Sequence, residues 1–337
     1  MIVGPSLLMT VLGLAGSAGA IYLACEYFVN GVEWIGHRFA MGQKATGALL
    51  AAFGTALPES IVTLVAVAFG AGAAQKDIGV GAAMGGPLVL ATIAYAVAGA
   101  TLLACRRPLR TASAAVDFAA LSRDQAWFIG LFVIKLTVGL VAFAFKPWLG
   151  VLFLAAYAAY AWKVATGEAG EAEGEIEPLK LQPKAARPDT ALIVLQTLAA
   201  LAVVFFASRV FVGSLGALGH RVGLGPQLLA LLLSPIATEL PETLNAVIWI
   251  RQGKVRLALA NISGAMMIQA TVPTALGLFF TPWRLQPSLI AAGVATLAAM
   301  VLLWAGFRSG RISRAMLAAM ALFYVLFIAA VVLGRLS

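Results

Sequence analysis

Gly54-Thr55-Ala56-Leu57-Pro58-Glu59 and Ala237-Thr238-Glu239-Leu240-Pro241-Glu242 are one short phrase written twice, 183 residues apart. Both copies lie inside long apolar runs. An ionisable side chain at that depth is expensive, and its default reading is a functional site. A proline there removes a helical donor that lipid cannot replace. The likeness extends beyond the phrase. Phe28-Val29 matches Phe211-Val212, Gly36-His37-Arg38 matches Gly219-His220-Arg221, Gly42 matches Gly225, and Leu49-Leu50 matches Leu232-Leu233. Past the phrase the offset becomes 179, and Gly85 then matches Gly264 and Thr92 matches Thr271. One unit has been duplicated.

Composition sets the class. Hydrophobic residues make up 62% and charged residues 11% of the 337, whereas a soluble domain carries about 25% charge. The chain reads as an all-α polytopic membrane protein. Its two cysteines, Cys25 and Cys105, offer neither a disulfide framework nor metal-ligand spacing. The first basic residue is Arg38, so the charged n-region of a signal peptide is not expected.

A helical span needs about 20 apolar residues. Ten candidates follow, roughly 6–35, 45–70, 78–104, 126–145, 148–166, 190–218, 227–250, 257–280, 286–306 and 314–334. Residues 167–189, rich in Glu, Pro, Gly and Lys, read as a flexible solvated linker between five spans (1–166) and five spans (190–337). Of the Lys and Arg residues outside the spans, sixteen fall on one set of alternate loops, including the linker. Five fall on the opposite side. The positive-inside rule then places the linker in the cytoplasm and both termini outside, in a bacterial-type inner membrane. The net charge of +9 thus belongs to loops facing anionic lipid, not to nucleic acid. An odd number of spans per half makes the second half enter from the opposite side. The expected fold is ten transmembrane helices in two inverted-topology repeats of five, with the substrate site near the midplane on broken helices.

Pro58 cannot donate to the Gly54 carbonyl, nor Pro241 to that of Ala237. The freed carbonyls lie beside the hydroxyls of Thr55 and Thr238, and a carboxylate, Glu59 or Glu242, follows each proline. This is a hard, all-oxygen donor set. Ca²⁺ takes about 6–8 oxygen ligands in flexible geometry, whereas softer metals want Cys or His, which are lacking near the phrases. Close carboxylates repel when no cation lies between them, which opens a route to competition by H⁺ or Na⁺.

The first phrase resembles the Gly-Thr-Ser-Leu-Pro-Glu signature of the sodium/calcium exchanger family, and the second resembles it more loosely. The likeness covers about 20–105 and 200–280. It implies a secondary active antiporter, not an enzyme, that exports Ca²⁺ in exchange for Na⁺ by alternating access. An H⁺-coupled exchanger of Ca²⁺, or of a cation similar to Mn²⁺, is the alternative. No cofactor is implied. By the resemblance, Thr55, Glu59, Thr238 and Glu242 hold the cation. Gln269 and Glu239 are further candidates.

The departures from the family are specific. The signature Ser is Ala56 in one copy and Glu239 in the other. The family's Gly-Ser-Asn-x-x-Asn/Asp motif is Gly85-Gly86-Pro87-Leu88-Val89-Leu90 in one half and Gly264-Ala265-Met266-Met267-Ile268-Gln269 in the other. Only Gln269 keeps an oxygen ligand there, so fewer Na⁺ sites and a stronger proton dependence are expected. Asn261 and Gln269 are equally readable as bridges between helices. Glu26 and Glu33 fit an access path or an interfacial role. Lys135, mid-span, either substitutes for a coupling cation, or finds a carboxylate, or snorkels. An intramembrane enzyme would need a nucleophile and base, or a metal motif, at midplane depth, and none appears.

Overall fold

The structure is a computed structural model that describes residues 6–38, 57–109, 117–141, 145–166 and 177–333. Among these residues it is entirely helical. The first half contributes α1 (Leu7–Arg38), α2 (Leu57–Ala68), α3 (Ala73–Val89) and α4 (Tyr95–Ala104). A π-helical turn, Leu90–Ala94, joins the last two. After them come α5 (Phe118–Leu140), a 3₁₀ turn at Lys146–Trp148 and α6 (Leu149–Thr166). The second half contributes α7 (Thr190–Val222), α8 (Pro226–Thr238), α9 (Leu240–Arg251), α10 (Val255–Phe280) and α11 (Pro287–Arg308). It ends with the short α12 (Arg314–Ala318) and α13 (Ala321–Val332).

Each apolar segment read from the sequence contains helix. Among the described residues, six stretches are long and apolar enough to cross a membrane: Leu7–Arg38, Ala73–Ala104, Thr190–Val222, Val255–Phe280, Pro287–Arg308 and Arg314–Val332. Their outward faces carry large apolar side chains such as Leu12, Leu198, Phe206 and Leu326, all well exposed. A water-soluble surface does not tolerate that density of exposed apolar groups. The chain is a polytopic membrane protein.

Helix ends follow local chemistry. Asp117 and Asp189 cap α5 and α7, their carboxylates accepting from Ala120 N (2.9 Å) and Ala191 N (3.1 Å). Gly223, at φ 68°, ends α7 in the left-handed region that glycine adopts without penalty. Prolines open α8 and α11, where the missing N–H has no helical acceptor to lose.

Three packing relations place the site. α1 lies along α7. α3 crosses α8. α10 is central, touching α2, α3, α5, α6 and α9. The α3–α8 crossing is close because Gly81 and Gly85 face backbone: a Cβ on Gly81 would overlap the Gln227 carbonyl, and one on Gly85 would lie 2.5 Å from the Leu231 oxygen. Gly81 and Gly85 form a small-xxx-small pair, the spacing that lets membrane helices approach.

The interhalf segment differs from the solvated spacer expected of it. Its residues 167–176 lie outside the described ones, but 177–189 form a strap docked across α1 and α7. Asn30 donates to the Glu177 and Pro178 carbonyls (3.3 Å each) and accepts from Lys180 N (3.0 Å). Gln196 accepts from Leu181 N (2.9 Å) and donates to the Tyr27 carbonyl (2.9 Å). Leu179 is fully buried beside Trp34 and Ile193. Glu26 pairs with Lys180 at 3.1 Å, a half-buried contact still open to solvent and of small energetic weight. Composition pointed to disorder, yet one leucine and two buried amides on the spans hold this stretch by its backbone.

Candidate functional site

The second phrase breaks its span as the prolines require. α8 ends at Thr238, α9 begins at Leu240, and Glu239 is the junction residue. Glu239 N still donates to the Pro235 carbonyl (2.8 Å), while its own carbonyl accepts from both Thr243 N (3.2 Å) and Thr243 Oγ1 (2.9 Å). Glu242 lies in the first turn of α9, where the helix dipole favours a carboxylate.

The break delivers side chains to one buried network that joins the halves. Thr238 Oγ1 lies 2.9 Å from Glu59 Oε2 on α2 and 2.8 Å from Glu239 Oε1. It is also 3.3 Å from the Ser234 carbonyl. Gln269 Nε2, on α10, donates to Glu239 Oε2 in a short hydrogen bond. Glu59, Thr238, Glu239, Glu242 and Gln269 are all essentially inaccessible to solvent. Among the described residues, Glu59 Oε1, Gln269 Oε1, Ser234 Oγ and Thr63 Oγ1 are buried and have no hydrogen-bond partner. Orphaned buried oxygens are uncommon and demand an explanation. Oxygen acceptors gathered beside carboxylates suit a hard cation.

The candidate residues of the sequence thus fall into three groups. Glu59, Thr238, Glu239 and Gln269 form the network. Glu242 is fully buried one turn into α9, within electrostatic range of Cys25 on α1. The Ala237 side chain packs in the apolar cluster with Ile21, Val62 and Phe211. Gly54 and Thr55 lie outside the described residues. No group of three or more His, Cys, Asp or Glu side chains poised to hold a metal ion occurs among the described residues. The gathered oxygens are instead a mixture of carboxylate, amide, hydroxyl and carbonyl.

The altered motif has a steric reason. A Cβ on Gly86 would lie 2.7 Å from Gln269 Oε1, so the residue that replaces the family's Ser leaves room for the Gln269 amide. Leu90 is fully buried in the π-helical turn and supplies no side-chain oxygen.

One participant was not anticipated in this place. Lys135, on α5, is fully buried rather than snorkelling, and among the described residues it hydrogen-bonds to no carboxylate. Its ammonium donates to the Ala83 carbonyl at 2.7 Å and points to the Gln269 carbonyl at 3.4 Å. It lies within electrostatic range of Glu59. By contrast Arg209, the other basic residue inside an apolar span, is exposed on α7.

This arrangement defines a class: a helical membrane protein in which helices from both halves of the chain bring carboxylates together in the interior. A profile of the family described as "Sodium/calcium exchanger protein" matches residues 9–165 and 192–333, one stretch in each half, and the chain belongs to that family. Solved exchangers share its fold. The H⁺/Ca²⁺ exchanger CAX superposes with a TM-score of 0.77 at 17% identity, over 96% of this chain and 82% of that one. YfkE gives 0.63 at 15% identity, over 94% and 95%. The sodium-calcium exchanger NCX_Mj gives 0.60 at 17%, over 96% and 99%. No match was found among curated proteins. The family is one of ion exchangers, and membership makes this chain a cation/Ca²⁺ exchanger in class and fold.

Proposed function

We propose that the chain exchanges Ca²⁺ for a monovalent cation at the Glu59–Thr238–Glu239–Gln269 network, with Glu242 and Thr55 completing the ligand set and the Gly54 and Ala237 carbonyls adjoining it. The observation that carries this reading is the set of buried oxygens on helices of both halves, several of them orphaned, around two carboxylates that share one hydroxyl. Mn²⁺ and similar divalent ions fit the same oxygen chemistry.

The loss of side-chain oxygens in the first half favours the proton as coupling ion over Na⁺, and the shared hydroxyl is compatible with a protonated carboxyl. Thr238 has one hydrogen to donate and two carboxylate oxygens within 2.9 Å. The second contact is favourable only when one carboxyl carries a proton or a cation lies alongside. The side-chain oxygens are lost at Gly86, Pro87 and Leu90, the positions where the resemblance would put ligands for Na⁺. The test is ⁴⁵Ca²⁺ flux in proteoliposomes under an imposed pH or Na⁺ gradient. Flux driven by the pH gradient alone is expected. Flux driven only by Na⁺ would restore the sodium-coupled reading, and flux driven by neither would end the exchanger reading.

The ten-span inverted repeat with a cytoplasmic strap belongs to the same proposal. Its support is reciprocity: α2 meets α10 and α3 meets α8, so the second and third spans of each half touch the third and second of the other. A two-fold relation between halves generates such crossed pairs. Cys105 is exposed beside Arg106 and Arg107, on the loop set assigned to the cytoplasm, whereas Cys25 is buried. A membrane-impermeant maleimide should label Cys105 in inside-out vesicles and not in right-side-out ones. The opposite pattern would invert the assigned orientation.

A further inference from the structure

Two prolines that belong to neither signature phrase lead to Lys135. Pro87 lies inside α3 and Pro273 inside α10. Each lacks the N–H that would bond to the carbonyl four residues earlier. Those carbonyls are Ala83 and Gln269. They are the two acceptors that the Lys135 ammonium faces, at 2.7 and 3.4 Å. One proline-freed carbonyl from each half therefore converges on a single buried cation. Bare carbonyls on broken membrane helices are a cation-binding device, and here the cation is covalently part of the chain.

The cradle is built to hold it. Phe132, one turn earlier, places its ring 5.3 Å from the ammonium, and the Trp283 ring lies at 5.8 Å. Trp283 is fully buried and sits at φ 46°, an unfavourable region for a bulky residue. Its indole donates to the Lys135 carbonyl at 3.3 Å, and Lys146 holds the Trp283 carbonyl at 2.9 Å.

We propose that Lys135 is a tethered cation of the transport centre and stands in for one monovalent coupling ion. The inference rests on the exchanger reading above. Among the described residues the charged groups of the proposed site are Glu59 on α2, Glu239 and Glu242 at the α8–α9 break, and Lys135 on α5, all buried; of these, Glu59 lies within electrostatic range of both Lys135 and Glu239. With every carboxylate ionised and the ammonium charged, the set carries two net negative charges. One divalent ion neutralises it, and so do two monovalent ions. Exchange is then electroneutral. Without the ammonium, a third monovalent charge is needed each cycle, and exchange becomes electrogenic.

The test uses Lys135→Gln, which removes the charge but keeps an N–H donor, with Glu239→Gln and the double variant. ⁴⁵Ca²⁺ exchange is measured in proteoliposomes with the potential clamped by K⁺ and valinomycin. The wild type is expected to be indifferent to potential. Lys135→Gln should become potential-sensitive, its Hill slope for the coupling ion rising from about two towards about three, the number of sites bounding the slope. The double variant, having lost a ligand, should exchange more slowly than the wild type, but what exchange remains should be indifferent to potential again. A Lys135 that only plugs carbonyls would not be rescued by neutralising Glu239. Potential-sensitive exchange by the wild type, or unchanged slope and potential response in Lys135→Gln, overturns the assignment alone. A wild type that moves no divalent ion takes the exchanger reading and this assignment down together. If Lys135→Gln yields no folded protein, equilibrium ⁴⁵Ca²⁺ binding decides. The double variant should bind about tenfold or more tightly than Glu239→Gln, a clearly resolvable difference. Equal or weaker binding overturns the proposal.

Discussion

Glu59→Gln abolishes divalent-cation exchange while leaving the protein inserted and monodisperse. That is the expected result, and Glu242→Gln is expected to match it. Glu59 is fully buried, and one oxygen accepts from Thr238 while the other has no hydrogen-bond partner among the described residues. Its value lies in charge presented to a dehydrated ion. Glutamine keeps the shape and replaces one anionic oxygen with a donor, which repels a cation. Removing one partner of a buried charged pair costs about 3–5 kcal/mol. At about 1.4 kcal/mol per tenfold, that is roughly two to three and a half orders of magnitude in cation affinity. Thr238 can turn its hydrogen wholly to Glu239 in the variant, so the local fold has a relaxed alternative. ⁴⁵Ca²⁺ uptake, with size-exclusion elution as the control for integrity, reads both effects. Uptake at the wild-type rate in both variants would place the cation site elsewhere.

The second large effect is steric and lies away from the chemistry. Gly81→Leu is expected to prevent accumulation of folded protein, and Gly81→Ala to lower thermal stability and slow exchange. A Cβ at position 81 overlaps the backbone carbonyl of Gln227, which no rotamer change can move. Overpacking of this kind costs about 1–3 kcal/mol for a small group and more for a large one. Because α8 carries Thr238 to Glu59, separating α3 from α8 also loosens the network. Gly130, on α5, is the control: nothing lies within 4 Å of a Cβ there. Gly130→Ala should be neutral or slightly stabilising, since alanine is favoured over glycine in helix interiors by about 1 kcal/mol. Melting curves in detergent for the two alanine variants, with expression yield for Gly81→Leu, suffice. Equal stability of Gly81→Ala and Gly130→Ala would mean that the α3–α8 crossing is looser than described.

The asymmetry between the halves has a consequence for coupling. Gly85 and Gly264 are repeat equivalents, yet a Cβ on Gly85 would meet Leu231 and Pro235, while one on Gly264 would meet nothing. Gly86 clears space for Gln269, which reaches across to Glu239. The first half has given up side-chain oxygens for close packing, and the second has gained a carboxylate and kept an amide. A site supplied mainly from one half offers fewer separate places for monovalent ions, in keeping with the single tethered ammonium between them.

Much was legible from residues alone. Apolar content identified a membrane protein, because burial of apolar surface in lipid is a matter of composition and run length. The duplicated phrase located the interior acids, and Pro241 foretold the break at Glu239, because the loss of one backbone donor is a local event. The helical segments followed for the same reason. Other features needed the tertiary structure. Lys135 was visible as a mid-span cation, but its acceptors lie 52 and 134 residues away, on helices that only packing brings to it. The link from Thr238 to Glu59 spans 179 residues. The strap at 177–189 looked like solvent-exposed linker, since its composition is polar and the amides of Asn30 and Gln196 that hold it belong to distant spans. Hydrophobicity and proline act within a turn of the chain and can be read along it. Which buried oxygen meets which charge depends on how helices cross, and the glycines that set the crossing between α3 and α8 mean little until the opposing backbone is in place.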